Sequence, residues 1–238
     1  MMLLLSQMKL KHYANLGVGD TLLNEDAWDS LRSNKNQPSF YLPDNKQEYV
    51  SICDNETHLD SIANVIADLF EQKKIKSVFS PGCGRAVLEY KLKKMKPYIH
   101  FVCADNSRIT VDRLKTVFPG SNAMDFDMSG GYWPTDHDLV ILNRIDADLS
   151  DTELEDVFKG IFVSNVKYII VLLCEDVNFK LACIQYLVRV ASFFRQTPLT
   201  YTGVLRSADN FKMYQPWFDL VKSSKIGSNP MLLLVRRD

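Results

Sequence analysis

A chain of 238 residues with 46% hydrophobic and 24% charged residues is too apolar for a disordered protein and too polar for a membrane-embedded one. Its length suits one large domain, or one domain with an appendage. Lysine and arginine number 28 against 29 aspartates and glutamates, a net charge of −1. That balance argues against a protein living on duplex DNA or an anionic membrane, where a basic surplus supplies affinity.

Five cysteines (Cys53, Cys83, Cys103, Cys174 and Cys183) are scattered and form no CxxC pair, so neither a disulfide framework nor structural zinc is expected. The apolar start at residues 1–5 is too short for a signal segment or a span, and no later stretch approaches about 18 uninterrupted apolar residues. The expectation is a soluble cytoplasmic protein with no membrane span.

Residues 1–56 are polar and irregular, with the cluster Ser33-Asn34-Lys35-Asn36-Gln37-Pro38 and isolated aromatics Trp28, Phe40, Tyr41 and Tyr49. They read as an appendage of short helices and loops, a lid on the domain formed by residues 57–238. Thr57-His58-Leu59-Asp60 resembles a capping box and opens a helix with Leu59, Ile62, Ala63, Ile66, Leu69 and Phe70 on one face. A buried strand follows at 75–79, then the tight turn Ser80-Pro81-Gly82-Cys83-Gly84 and a helix carrying Val87, Leu88, Leu92 and Met95. Its lysines Lys91, Lys93, Lys94 and Lys96 read as a solvated face.

Next come a strand at 99–104, a helix at 107–118, and strands at 122–126 and 138–142. Ser150-Asp151-Thr152-Glu153 is a full capping box for a helix with Leu154, Val157, Phe158 and Ile161 inward. The run 168–173 is the most hydrophobic strand, a long helix is expected over 180–194, and two last strands over 199–206 and 231–236. The aromatics between them (Phe211, Tyr214, Trp217, Phe218) read as a substrate lid or as the underside of a loop. The alternation predicts an α/β fold, doubly wound, with a mostly parallel sheet and helices on both faces.

In such sheets ligands sit beyond the carboxyl ends of the strands, where strand order reverses. Gly82 and Gly84 would let backbone N–H groups approach an anionic or polar ligand at a helix start. Asp105 ends the second strand, 23 residues beyond Gly82, and can accept hydrogen bonds from both ribose hydroxyls. Met124-Asp125-Phe126-Asp127 ends the third, offering a carboxylate and a ring to an adenine. Val87 stands where a dinucleotide fingerprint needs its third glycine, and neither a P-loop nor a G-x-S-x-G elbow occurs.

With these motifs the chain resembles the class I S-adenosylmethionine-dependent methyltransferases over about residues 57–238. The resemblance implies a seven-stranded sheet closed by an antiparallel last strand, and S-adenosylmethionine as cofactor. It places Ser80, Pro81, Gly82, Cys83 and Gly84 at the methionine portion, Asp105 at the ribose, Asn106 and Phe126 on the adenine faces, Asp125 at its amino edge and Asn143 on the sulfonium side. Ser80 stands where the family usually has an acid, and Ala86 where it often has a third glycine.

Asn143-Arg144-Ile145-Asp146 replaces the motif by which amino-methylating nucleic-acid enzymes hold a base, so a nucleic-acid acceptor is disfavoured and a small molecule or saccharide expected. Arg144 is the candidate to bind a carboxylate or phosphate of the acceptor, and Asp146, with Asp148 nearby, to act as base or orient a hydroxyl. Glu175 and Asp176 are further candidates, with helix capping the blander role. The alternatives are a methyltransferase-like scaffold without catalysis and, less favoured by the charge, an RNA methyltransferase. His100 and His137 fall at the opposite, amino ends of their strands; His12 and His58 reach the site only through the N-terminal segment.

Overall fold

The computed structural model describes residues 7–10, 25–128, 130, 132–174, 183, 187, 203–214, 216–226 and 229–237. In chain order the strands are β1 (Gln7–Leu10), β2 (Ser77–Pro81), β3 (His100–Asp105), β4 (Asn122–Asp125), β5 (Leu139–Asn143), β6 (Tyr168–Leu172), β7 (Gly203–Arg206), β8 (Phe218–Ile226) and β9 (Asn229–Arg236). The helices are α1 (Glu25–Ser33), α2 (Lys46–Asn55), α3 (Asp60–Lys73), α4 (Val87–Met95), α5 (Arg108–Val117) and α6 (Asp151–Val163).

Seven strands form one sheet in the order β4-β3-β2-β5-β6-β9-β8. β2 to β6 run parallel, and β9 is antiparallel to both its neighbours. The chain leaves β2 for β3 and β4 on one side, then returns to β5 on the other. The strand order therefore reverses beside β2, the place at which sheets of this kind bind their ligands.

β5 and β6 are buried on both faces, which explains their near-continuous apolar sequences. On one face α3, α4 and α5 lay Ile66, Phe70, Leu88, Leu92 and Leu114 against Val78, Cys103 and Ile141. Leu42, Tyr49 and Cys53 of the N-terminal region belong to this same core. On the other face Phe158 and Ile161 of α6 meet Phe79, Val140, Phe211, Tyr214 and Phe218. Phe158 and Tyr214 stack at 4.0 Å, so these aromatics are core rather than an open lid. At the amino ends, the Asp138 carboxylate accepts from the Lys76 and Ser77 backbone N–H groups at 2.7 and 3.0 Å, tying β5 to β2.

Several local expectations are corrected. Ser150 and Glu153 do form the reciprocal capping box of α6, but the Thr57 box does not form. A 3₁₀ turn (Thr57–Leu59) leads into α3 without a side-chain cap, and His58 instead pairs with Glu56. The penultimate strand of the edge hairpin is β8, not the segment at 199–206. β7, the described part of that segment, pairs antiparallel with β1 in a separate two-stranded ribbon. The lysines of α4 are not simply solvated: Lys91 is buried on Asp60 at 2.6 Å, Lys93 donates to the Ile99 carbonyl, Lys94 pairs with Asp54 and Lys96 with Glu71. The expected helix at 180–194 lies outside the described residues apart from helical Cys183 and Leu187.

Candidate active site

The carboxyl ends of β2, β3, β4 and β5 share one edge, because the strands are parallel and in register. Pro81 pairs with Ala104, and Asp105 with Asp125. The turn after β2 is left-handed at Gly82 (φ 61°) and Gly84 (φ 56°), the conformation that favours glycine. Ala86 takes φ 51° despite its Cβ. The turn is braced by the Cys83 N–H donating to the Ala104 carbonyl at 3.0 Å and by the Tyr49 hydroxyl donating to the Arg85 carbonyl at 3.0 Å.

Asp105 locks this turn to the end of β3. One carboxylate oxygen accepts from the Gly84 N–H at 2.8 Å and the other from the Ser107 N–H at 3.0 Å. The Ser107 hydroxyl caps α5 by accepting from the Thr110 N–H at 3.1 Å, so Asp105 is not needed as the cap. Each Asp105 oxygen engages one backbone donor, leaving acceptor capacity for a ligand hydroxyl. Burial pushes the Asp105 carboxyl upward, and the Arg32 guanidinium pulls it back.

The remaining expected cofactor residues are more open. Asn106 and Asp125 are exposed, and Asn143 is half-buried at the end of β5. Phe126 is half-buried, its ring edge-on to Phe79 at 5.1 Å and Trp133 at 5.2 Å. Pro81 and Cys83 are buried in the turn.

Ser80 behaves differently from expectation. It is fully buried and donates its hydroxyl hydrogen to Glu89 Oε1 at 2.5 Å, with the Ile141 carbonyl at 3.4 Å. Glu89, one turn into α4, is itself fully buried, and its Oε2 has no hydrogen-bond partner. A buried acid thus meets Ser80 from nine residues on. Burial pushes its carboxyl above the ordinary range. The signal was present in the sequence: Glu89 lies three residues before Leu92, on the apolar stripe of α4.

After β5 the chain turns sharply at Arg144 (φ 60°), which is exposed, and enters a 3₁₀ turn (Ile145–Ala147). Ile145 packs over the glycine turn; a Cβ on Gly82 would meet its Cγ2 at 2.8 Å. Asp146 is 1% exposed, accepts from the Cys174 N–H at 3.2 Å, and keeps its second oxygen buried without a partner. Burial lifts its carboxyl to about 6. Half-buried Asp148 is lifted to about 7, by burial and then by the charge of Asp146. Buried Arg206 braces this loop, donating to the Asp146 and Leu149 carbonyls and pairing with Asp151 at 2.6 Å.

Two residues that sequence reasoning did not bring to the site come from α1. Asp29 accepts from the Ser107 hydroxyl, and Arg32 lies over Gly84, where a Cβ would meet its Nη2 at 2.7 Å. Only the tertiary fold brings them there. The histidines are remote from this edge: His100 begins β3, exposed, and half-buried His137 stacks on Phe79 at 5.4 Å. Glu175, Asp176 and His12 lie outside the described residues. No group of acids, histidines and cysteines among the described residues has the arrangement of a metal site, and no described helix is long and apolar enough to cross a membrane.

The fold is similar to that of solved S-adenosylmethionine-dependent methyltransferases. Human N-acetylserotonin methyltransferase, solved with S-adenosylmethionine, superposes at a TM-score of 0.61 and 15% identity, covering 89% of this chain and 59% of that one. Magnesium protoporphyrin IX methyltransferase from Synechocystis PCC 6803, solved with S-adenosylhomocysteine, gives 0.57 and 13%, covering 76% and 83%. The mitomycin 7-O-methyltransferase MmcR gives 0.58 and 14%, covering 75% and 54%. The chain thus spans little more than half of MmcR and about three fifths of the human enzyme. No family model and no curated protein matches the chain.

Proposed function

We propose that the protein is an S-adenosylmethionine-dependent methyltransferase acting on a small-molecule or saccharide acceptor. The observation that carries this reading is the Asp105 carboxylate, hydrogen-bonded to Gly84 at the switch point and in register with Asp125 on the next strand. Structural neighbours that bind this cofactor or its demethylated product, and that methylate small molecules by name, support it.

In this reading the backbone of Ser80, Pro81, Gly82, Cys83 and Gly84 cradles the methionine portion, Asp105 accepts from the ribose hydroxyls, and Asn106, Asp125 and Phe126 frame the adenine. Asn143 lines the sulfonium side. The local chemistry fits: the glycine turn offers close backbone approach, and Asp105, Asp125, Asp146 and Asp148 give the edge an excess of carboxylates suited to a cation. When bound, the cofactor supplies an electrophilic methyl group. The protein's own share is positioning and the exclusion of water. Arg144 binds a carboxylate or phosphate of the acceptor, while Asp148 takes the proton of a hydroxyl. Burial, aided by the charge of Asp146, keeps the Asp148 carboxyl near neutrality, so Asp146, itself shut off from solvent, acts through its neighbour.

The test is calorimetry with S-adenosylmethionine and S-adenosylhomocysteine, followed by release of the latter from a panel of hydroxyl-bearing acceptors. Micromolar binding and acceptor-dependent release are expected. Silence at millimolar cofactor would leave the alternative of a methyltransferase-like scaffold, a reading motivated by the serine at position 80.

A further inference from the structure

Arg32, the penultimate residue of α1, occupies ground over Gly84 that the cofactor reading assigns to the methionine portion. Its side chain is buried, and one nitrogen, Nη1, donates to the Phe40 carbonyl at 2.9 Å. The guanidinium carbon is 5.0 Å from the centre of the Trp28 ring. Nη2 fills the space above Gly84 that a Cβ would take, and Nε is buried with no hydrogen-bond partner. Its charge pulls down the carboxyls of Asp105, at the end of β3, and of Asp148, in the loop after β5.

An arginine normally spends its forked donors on a carboxylate. Here the cation lies over a glycine turn with one donor orphaned, an arrangement of incomplete satisfaction. α1 is tied to α5 by Asp29 accepting from the Ser107 hydroxyl and by Arg113 donating to the Arg32 carbonyl at 2.7 Å. The partners of the Arg32 side chain, the Phe40 carbonyl and the Trp28 ring, instead lie within the N-terminal region and leave it free to swing off Gly84. Ser107 follows Asp105 by two residues, so the latch and the expected ribose contact share one strand end.

We propose that α1 is a latch in which Arg32 stands in for the positive charge of the cofactor over Gly84 and beside Asp105, and that cofactor binding displaces it. The proposal rests on the cofactor reading above. A sulfonium nucleoside and a guanidinium compete for the same glycine surface and the same carboxylates. Closed α1 therefore lowers the apparent affinity by the fraction of molecules in which the latch is shut, a tax that removing Arg32 lifts. Because that tax depends only on the shut fraction, it falls equally on S-adenosylmethionine and S-adenosylhomocysteine.

Arg32→Ala, with Arg32→Gln as the less cavity-forming variant, is compared with the unmodified chain in two measurements. Calorimetry is expected to show S-adenosylmethionine binding at least about fivefold tighter in either variant, the low end of ordinary coupling, with the same gain for S-adenosylhomocysteine. Hydrogen exchange is expected to show faster exchange across residues 25–33 in the variants without cofactor, and in the unmodified chain once cofactor is added. Weaker or unchanged binding in both variants overturns the latch alone and leaves the cofactor reading intact. Protection of α1 by cofactor overturns it as well. No binding by any of the three proteins removes the cofactor reading and the latch together, whereas binding only in the variants is the strongest support for both.

Discussion

Glu89 and Ser80 form a buried pair across the interface of α4 and β2, with the serine hydroxyl donating to the carboxyl at 2.5 Å and the other carboxyl oxygen left without a partner. A carboxyl whose folded value is raised stabilises most below its unfolded value and loses that contribution as pH rises through the folded one. Glu89→Gln keeps the acceptor for Ser80 and removes the titration. We expect equal or higher thermal stability than the unmodified chain at pH 7–8, together with weaker cofactor binding, because Glu89 backs Ser80 in the turn proposed to cradle the methionine portion. Thermal melts at several pH values and calorimetry check the two halves separately; unchanged affinity would confine Glu89 to a structural role.

Asp105 carries both the turn and the expected ribose contact. Asp105→Ala strands the Gly84 and Ser107 N–H groups, each costing about 1–3 kcal/mol if left unpaired in the interior. Cofactor affinity should fall more than about tenfold from the loss of a charged, multiply bonded acceptor. Asp105→Asn retains one acceptor oxygen and should lose less stability while still losing affinity. Denaturant melts and titration calorimetry on the two variants separate these contributions.

The Asp146 and Asp148 carboxyls, at about 6 and about 7, shape the pH response of the loop after β5. Both lie above the ordinary aspartate value of 3.8, so the pair favours the folded state at pH below about 4. That contribution is lost as pH climbs from there toward 7. Asp148→Asn should flatten this part of the stability profile. With a hydroxyl acceptor the opposite trend applies to turnover, which should rise with pH through about 6–7 as Asp148 loses its proton. A rate that is flat across that range would exclude Asp148 as the base.

Gly160 of α6 is helical and yet cannot be exchanged freely, because a Cβ there would lie 2.1 Å from the Trp133 ring. Alanine usually strengthens a helix interior by roughly 0.5–1 kcal/mol over glycine. Overpacking against a ring that is 4% exposed should reverse the sign, for a net loss of about 1–3 kcal/mol. Gly160→Ala with Trp133→Phe, which offers a smaller ring, should recover part of it. A stabilised single variant in urea melts would show that Trp133 yields without cost.

The sequence made the sheet's interior legible because β2, β3, β5 and β6 are bounded runs of apolar residues joined by helical periodicity. β8 escaped because it is an edge strand: Asp219, Lys222, Ser223 and Lys225 break its apolar pattern, as solvent-facing edges allow. The segment at 199–206 looked the better strand, but apolar alternation does not specify which sheet a strand joins. In the site, Gly82, Gly84, Asp105 and Asp125 were readable since their spacing follows the strand-turn-helix rhythm. Glu89 showed only as a charge on an otherwise apolar stripe, a signal that names no partner, and Arg32 was hidden by distance along the chain. Its position over Gly84 depends on α1 docking against α5, which local pattern does not encode.

The ribbon of β1 and β7 joins residues 7–10 to residues 203–206. β7 ends in Arg206, whose guanidinium grips the carbonyls of Asp146 and Leu149. The consequence concerns handling of the protein. Trimming or fusing a tag close to residue 7 disturbs the pairing of β7, and through Arg206 the disturbance reaches the loop that bears Asp146 and Asp148. A tag at that end is therefore a perturbation of the Asp146–Asp148 loop, and kinetic comparisons require its removal or a control carrying it elsewhere.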